Sequence, residues 1–190
     1  AILEYLKVPY VGVDIVQGFS REIVSPPSSR DLDSPTHIIV ATPTFDHYSQ
    51  ALCSHPDQQF LIEKPLFEND RQYQSILDVK ANKDSLRMVC NYRFIDGQEG
   101  ETYYNHYHTG NEPEWANMFQ LIGLARGHLT IKKESPIWKC TLNGRELSLE
   151  DVQKSYILMI EQWLKDPTKL VGVEEAYQWH QKAMEWVKQT

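Results

Sequence analysis

Long apolar runs are absent from this 190-residue chain. No run approaches the roughly 18–20 apolar residues that a membrane-spanning helix needs. The first residues, Ala1 to Lys7, lack the basic region and apolar core of a secretory signal. We therefore expect a cytoplasmic protein with no membrane partner.

Cysteine pairs and an excess of basic residues are also missing. Cys53, Cys90 and Cys140 are odd in number, lie far apart and form no CxxC motif, which favours buried, reduced thiols in a reducing compartment. Lysine and arginine number 19 against 26 acidic residues, a net charge of −7, so no basic surface for nucleic acid is expected. Hydrophobic residues make up 41% of the chain, enough for a folded core rather than disorder.

Residues 1–94 alternate strand and helix signals. The predicted strands are short apolar runs typical of strands buried on both faces, and the segments at 45–54 and 70–82 have helical spacing. The strands are Tyr10–Ile15, His37–Thr42, Phe60–Glu63 and Arg87–Asn91. Strands separated by helix-length segments predict parallel βαβ units with right-handed crossovers.

Residues 95–190 show a different pattern, which predicts a smaller α+β domain. The expected strands are 102–108, 129–132 and 138–142, the last closed by an Asn143-Gly144 turn, with a helix over 115–126. Two amphipathic helices follow. The first is expected to begin after the cap Ser148 and to end before Pro167, and the second carries its apolar residues from Val173 to Val187.

Polar or turn-forming residues follow each predicted strand of the first half. Because ligands bind beyond the carboxyl ends of parallel strands, these residues are candidates for a binding site. The alternative is a solvated rim without function. The groups are Asp14, Thr42-Pro43-Thr44, Glu63-Lys64-Pro65 and Asn91-Tyr92-Arg93.

Three of these groups resemble motifs of one enzyme family. The run Ala41-Thr42-Pro43 with His47 resembles an ATPxxxH segment, Glu63-Lys64-Pro65 resembles an EKP motif, and Asn91 to Phe94 resembles a strand end that leads out of a nucleotide domain. In this order they resemble the Gfo/Idh/MocA oxidoreductases over roughly residues 8–94. The resemblance implies a partial Rossmann-type domain at 1–94 and a substrate or oligomerisation domain at 95–190.

The resemblance also implies a reaction and its residues. It implies hydride transfer between NAD or NADP and a sugar-like or polyol substrate, with Lys64 near the reacting oxygen and Arg93 as a second substrate contact. The cofactor contacts that it implies are Asp14, Thr42, Pro43, Thr44, His47, Glu63, Lys64, Pro65 and Asn91. Structural roles without function stay open for these residues: a surface lysine at Lys64, an ion pair at Arg93, and simple caps at Asp14 and His47. The Lys64–Pro65 bond is a candidate cis peptide.

Two expected features of the family are absent. No helix of the second half carries the DxxxH-type pair that supplies a proton acceptor, so His106 and His108 are the candidate substitutes. On a strand these two histidines would face the same side. Packing is the simpler role for them there, and a metal site would lack a third ligand. No trio of glycines fits GxGxxG, and we expect that turn to precede Ala1. Cofactor binding by these 190 residues should then be weak. A non-catalytic relative that binds a nucleotide or sugar, or an assembly subunit, is the alternative, and a homo-oligomer is expected.

Overall fold

The computed structural model describes residues 2–8, 36–53, 57–78, 83–95, 102–105, 123–126, 129–134 and 137–187. The predicted strand at Tyr10–Ile15, the site residue Asp14 and the candidate histidines His106 and His108 lie outside the described residues.

The helices and strands follow one another in mixed order. The α-helices are α1 (Ile2–Tyr5), α2 (Thr44–Leu52), α3 (Asp70–Asp78), α4 (Leu149–Lys165) and α5 (Val173–Val187). The strands are β1 (His37–Val40), β2 (Gln59–Ile62), β3 (Leu86–Met88), β4 (Thr102–Asn105), β5 (Gly123–Arg126), β6 (Leu129–Glu134), β7 (Ile137–Leu142), β8 (Arg145–Glu146) and β9 (Val171–Gly172). Short 3₁₀ helices occupy Asn91–Phe94 and Pro167–Lys169.

The main sheet has the order β1-β2-β3-β9 and confirms the α/β fold class. β1, β2 and β3 are parallel, with Val40 opposite Ile62 and Ile62 opposite Met88, and β9 adds an antiparallel strand beside β3. Phe60, Leu61 and Ile62 are all buried, as the unbroken apolar run predicts for a central strand. The helix α3 covers this sheet through Tyr73 and Ile76, which lie one turn apart.

Two predictions of local structure were wrong. Residues 123–126 form β5, which pairs antiparallel with β4, whereas the sequence predicted that a helix extended to Arg126. Gly123 opens this segment, and glycine is a poor helix former that accepts extended backbone. Asn91 begins a 3₁₀ helix rather than ending a strand, because β3 stops at Met88.

The turn and cap predictions of the second half are confirmed. Asn143 and Gly144 both have positive φ, 51° and 80°, and they join β7 to β8 as a two-residue hairpin. Only glycine adopts the second of these angles without strain, which explains its place there. Ser148 caps α4 through a reciprocal pair of bonds: Asp151 N donates to Ser148 Oγ over 3.0 Å, and Ser148 N donates to Asp151 Oδ2 over 2.8 Å.

The C-terminal helices belong to the core of the first sheet. Met159 and Trp163 of α4, Val171 of β9 and Ala176 of α5 are buried in one cluster with the residues of β2 and β3. The domain boundary predicted at 94/95 did not anticipate that the C-terminal helices pack against the first sheet. Amphipathic spacing shows that a helix has an apolar face, but it does not show which sheet that face will cover.

The cysteines and the helix lengths can be compared with expectation over the described part of the chain. Its three cysteines are free; Cys90 is buried and Cys140 half-buried, but Cys53 is exposed at the end of α2, so the expectation of three buried thiols was wrong for Cys53. None of the described helices is long and apolar enough to cross a membrane.

Candidate functional site

The three parallel strands end at one edge of the sheet, where three of the predicted groups meet. The backbone ladder continues past the strands, with Glu63 N donating to Val40 O and Val89 N to Ile62 O, both over 2.9 Å. Thr42, Lys64 and Asn91 therefore follow neighbouring strands on the same side. This agrees with the predicted convergence, although Asp14 lies outside the described residues.

His47 joins two of these groups directly. Its side chain is almost fully buried, at 1% exposure, on the first turns of α2. Nδ1 lies 2.9 Å from the carbonyl oxygen of Pro65, and Nε2 lies 2.9 Å from that of Thr42. A neutral imidazole has one N–H and donates to one carbonyl at a time, whereas an imidazolium donates to both. The ring thus fastens the turn after β1 to the turn after β2 and does more than cap its helix.

Lys64 has a half-buried side chain beside an aromatic ring. Its Nζ lies 5.1 Å from the centre of the Tyr92 ring, within the range of a cation–π contact. Among the described residues no protein oxygen accepts a hydrogen bond from this ammonium. Burial lowers the pKa of Lys64, and the charges of Glu63, Cys90 and Cys140 partly offset that effect. The Lys64–Pro65 bond is cis, as predicted, and Lys64 N donates to Glu63 Oε2 over 3.1 Å.

Tyr92 and Cys140 lie near Lys64, and Tyr156 lies near Tyr92 and Glu63; Cys140 and Tyr156 come from the second half of the chain. Tyr92 packs with Cys140 of β7 against one small cluster, and burial, with the charges of Cys140 and Tyr156, raises the pKa of Tyr92. Tyr156 of α4 is half-buried nearby, where burial and then the charge of Glu63 raise its pKa. Lys64 is therefore enclosed by groups from both halves.

Asn91 presents a buried acceptor at the same edge. Its side chain is 1% exposed, and Nδ2 donates to Ser155 Oγ of α4 over 3.2 Å. Ser155 Oγ in turn donates to Val152 O over 2.7 Å. The other amide atom of Asn91, Oδ1, has no hydrogen-bond partner in the described part of the chain. A buried oxygen without a partner is rare and suits a ligand N–H or O–H donor.

Arg93 is engaged within the fold. Its guanidinium forms a two-pronged pair with the carboxylate of Glu175 in α5, and Nη1 donates to Oε2 over 3.3 Å. Trp179 Nε1 donates to the same carboxylate over 3.2 Å. This geometry is that of the ion-pair alternative, and it leaves fewer donors of Arg93 for a substrate.

The remaining candidates are partly accessible. Thr42 and Pro43 are exposed and Thr44 is half-buried at the start of α2, so the backbone of this turn is open to a ligand. Within the described residues no group of three His, Cys, Asp or Glu side chains could hold a metal ion.

Cys140 and Tyr156 were not selected from the sequence. Tyr92 was selected only as a member of the group Asn91-Tyr92-Arg93, without a role of its own. Cys140 and Tyr156 carry no local signal, because only the packing of β7 and α4 brings them near residues about fifty and ninety positions away.

Fold and geometry together define a mixed α/β protein whose parallel sheet carries a polar cluster at its carboxyl edge. No protein-family model matches the chain, and no curated protein does. Among solved structures, the chain resembles the WlbA (WbpB) dehydrogenase from Thermus thermophilus, solved in complex with NAD and UDP-GlcNAcA. The identity is 14% over 80% of this chain and 72% of that chain, with a TM-score of 0.49.

Proposed function

We propose that the protein is an NAD(P)-dependent oxidoreductase acting on a sugar-like or polyol substrate. The observation that carries the proposal is Lys64: an ammonium at the carboxyl edge of a parallel sheet, half-buried, with no hydrogen-bond acceptor among the described residues. A surface lysine would be surrounded by water, and a structural one would be paired with a carboxylate.

Different residues of the site bind the cofactor and act on the substrate. The exposed Thr42-Pro43 turn offers backbone to a cofactor, and Asn91 Oδ1 offers a buried acceptor to an amide or hydroxyl donor. A nicotinamide coenzyme, when bound there, would supply or accept the hydride. Lys64 donates hydrogen bonds to the reacting oxygen of the substrate and stabilises the negative charge that develops there. In this environment the lowered pKa of Lys64 also eases proton exchange with that oxygen.

The second half supplies one wall of this site. Cys140 of β7 lies near Lys64 and Tyr156 of α4 lies near Glu63, so a substrate oxygen held by Lys64 would lie between the two halves. His106 and His108 remain candidates for the proton acceptor, and a hydroxyl-rich substrate would suit a site of phenols and amides better than an apolar one.

The test is coenzyme reduction with a panel of alcohols. The chain is mixed with NAD or NADP at high concentration, because binding is expected to be weak, and with polyols, aldoses and nucleotide sugars, and reduced nicotinamide is followed by absorbance. We expect turnover with at least one hydroxylated substrate and a loss of about 10²–10³ in kcat for Lys64→Met. Lys83→Met, which removes a lysine paired with Glu174 on the surface, is the matched control and should be unchanged.

Two results would overturn the proposal. One is the absence of reduction with every alcohol in the panel. The other is turnover that Lys64→Met leaves intact. Binding of NAD or a nucleotide sugar without turnover would favour the non-catalytic alternative.

A further inference from the structure

We propose that Tyr92 is the positioning residue of Lys64: its ring face holds the ammonium at the sheet edge, and its packing with Cys140 of the second half holds the ring in place. The inference rests on the proposed role of Lys64 as the group that acts on the substrate oxygen. It assigns a task to a residue that touches Lys64 rather than the substrate.

The ammonium of Lys64 lies over the face of the Tyr92 ring. The 5.1 Å separation of Nζ from the ring centre is inside the roughly 6 Å limit for cation–π attraction. The Glu63 carboxylate accepts from the backbone N–H of Lys64, not from its ammonium. A ring face attracts the ammonium without occupying its N–H donors, which stay free for a ligand, whereas a carboxylate would consume them.

The ring is itself held from the second half of the chain. Tyr92 and Cys140 pack against a small buried cluster of Ile95, Leu142 and Leu147. Cys140 belongs to β7, so this packing ties the ring to that strand. The position of Lys64 therefore depends on the docking of β7 against the 3₁₀ helix that carries Tyr92.

The test separates the electrostatics of the ring from its shape. Phenylalanine, trifluorophenylalanine and pentafluorophenylalanine are placed at position 92, which keeps the ring while the negative charge of its face is withdrawn. The apparent pKa of Lys64 is measured from the pH dependence of its acylation, with the Lys64 peptide quantified by mass spectrometry and Lys83 as an internal reference. Glu63, Cys90 and Cys140, the titratable groups around Lys64, are unchanged throughout the series.

We expect the apparent pKa of Lys64 to fall stepwise with fluorination, by between about 0.4 and 1.5 units from phenylalanine to pentafluorophenylalanine. Unfolding midpoints should stay level, since shape and apolar contact are kept. An apparent pKa that is the same across the series would overturn the inference, and so would an equal shift at Lys83.

A second measurement uses turnover. Tyr92→Leu should lower kcat while KM changes little, and Tyr92→Phe should restore most of kcat because the ring face returns. Equal loss in both variants would overturn the inference. The acylation series needs no turnover, so a stepwise shift in a protein without oxidoreductase activity would refute the proposed function and leave the positioning role standing.

Discussion

His47 is the side chain whose removal should loosen the sheet edge most directly, because one buried ring serves two turns. Asparagine can place its amide nitrogen where Nδ1 lies, and glutamine can place its own where Nε2 lies. His47→Asn therefore keeps the bond to the buried carbonyl of Pro65, and His47→Gln keeps the bond to the part-buried carbonyl of Thr42. His47→Leu removes both bonds at similar volume.

The magnitudes follow from where each carbonyl lies. A buried carbonyl left without a donor costs about 1–3 kcal/mol, whereas a part-buried one in an exposed turn regains water and loses only the net value of a bond, about 0.5–1.5 kcal/mol. Pro65 is buried and Thr42 is exposed. The free energy of unfolding should therefore fall least in His47→Asn, more in His47→Gln and most in His47→Leu, by about 2–4 kcal/mol in the last case.

The assay is equilibrium unfolding in urea, followed by tryptophan fluorescence and circular dichroism. Ser49→Ala, on the exposed face of the same helix, is the matched control and should change stability little. A His47→Asn variant less stable than His47→Gln would show that the Pro65 bond is not the important one. A His47→Leu variant as stable as the wild type would refute the reasoning altogether.

Three further results are expected. Ser148→Ala should lower the free energy of unfolding by about 1 kcal/mol in the same urea assay, because Asp151 N loses its acceptor at the start of α4; no change would mean that the cap does not stabilise the helix. Iodoacetamide at neutral pH should label Cys53 and spare Cys90 until the protein unfolds, since Cys53 is exposed and burial raises the pKa of Cys90 to about 11. Mass spectrometry of the two cysteine peptides measures the extent of labelling. Early labelling of Cys90 would contradict its burial. Burial lowers the pKa of His180, so the unfolded chain takes up a proton there first and stability should fall as pH drops below about 6.5. His180→Gln should reduce this pH dependence of stability, measured as urea midpoints against pH. Some dependence should remain, because burial also lowers the pKa of His37. An unchanged dependence would exclude His180 as its origin.

The sequence predicted the parallel sheet and its edge because both depend on local patterns. Apolar runs such as Phe60 to Ile62 have no polar residue to place on a solvated face, and polar residues after each run mark where the strand stops. The cap at Ser148 and the turn at Asn143-Gly144 were predictable for the same reason. Each is specified by residues within three positions of one another.

The surroundings of Lys64 could not be predicted in this way. Tyr92 meets Cys140 and Tyr156 only after the chain has folded β7 and α4 back onto the first half. The pairing of Arg93 with Glu175 likewise joins residues 82 positions apart. Charges and phenols are common in any sequence, so nothing in their spacing shows which of them will meet.

The return of the C-terminal helices to the first sheet has a consequence for biosynthesis. The ribosome releases the strands β1 to β3 well before Met159, Trp163 and Val171, which complete their core. During that interval a nascent chain presents an apolar sheet face without its cover, a surface that chaperones bind and that aggregates when they are scarce. Chains released before α4 and β9 are made should therefore be degraded rather than accumulate as folded fragments.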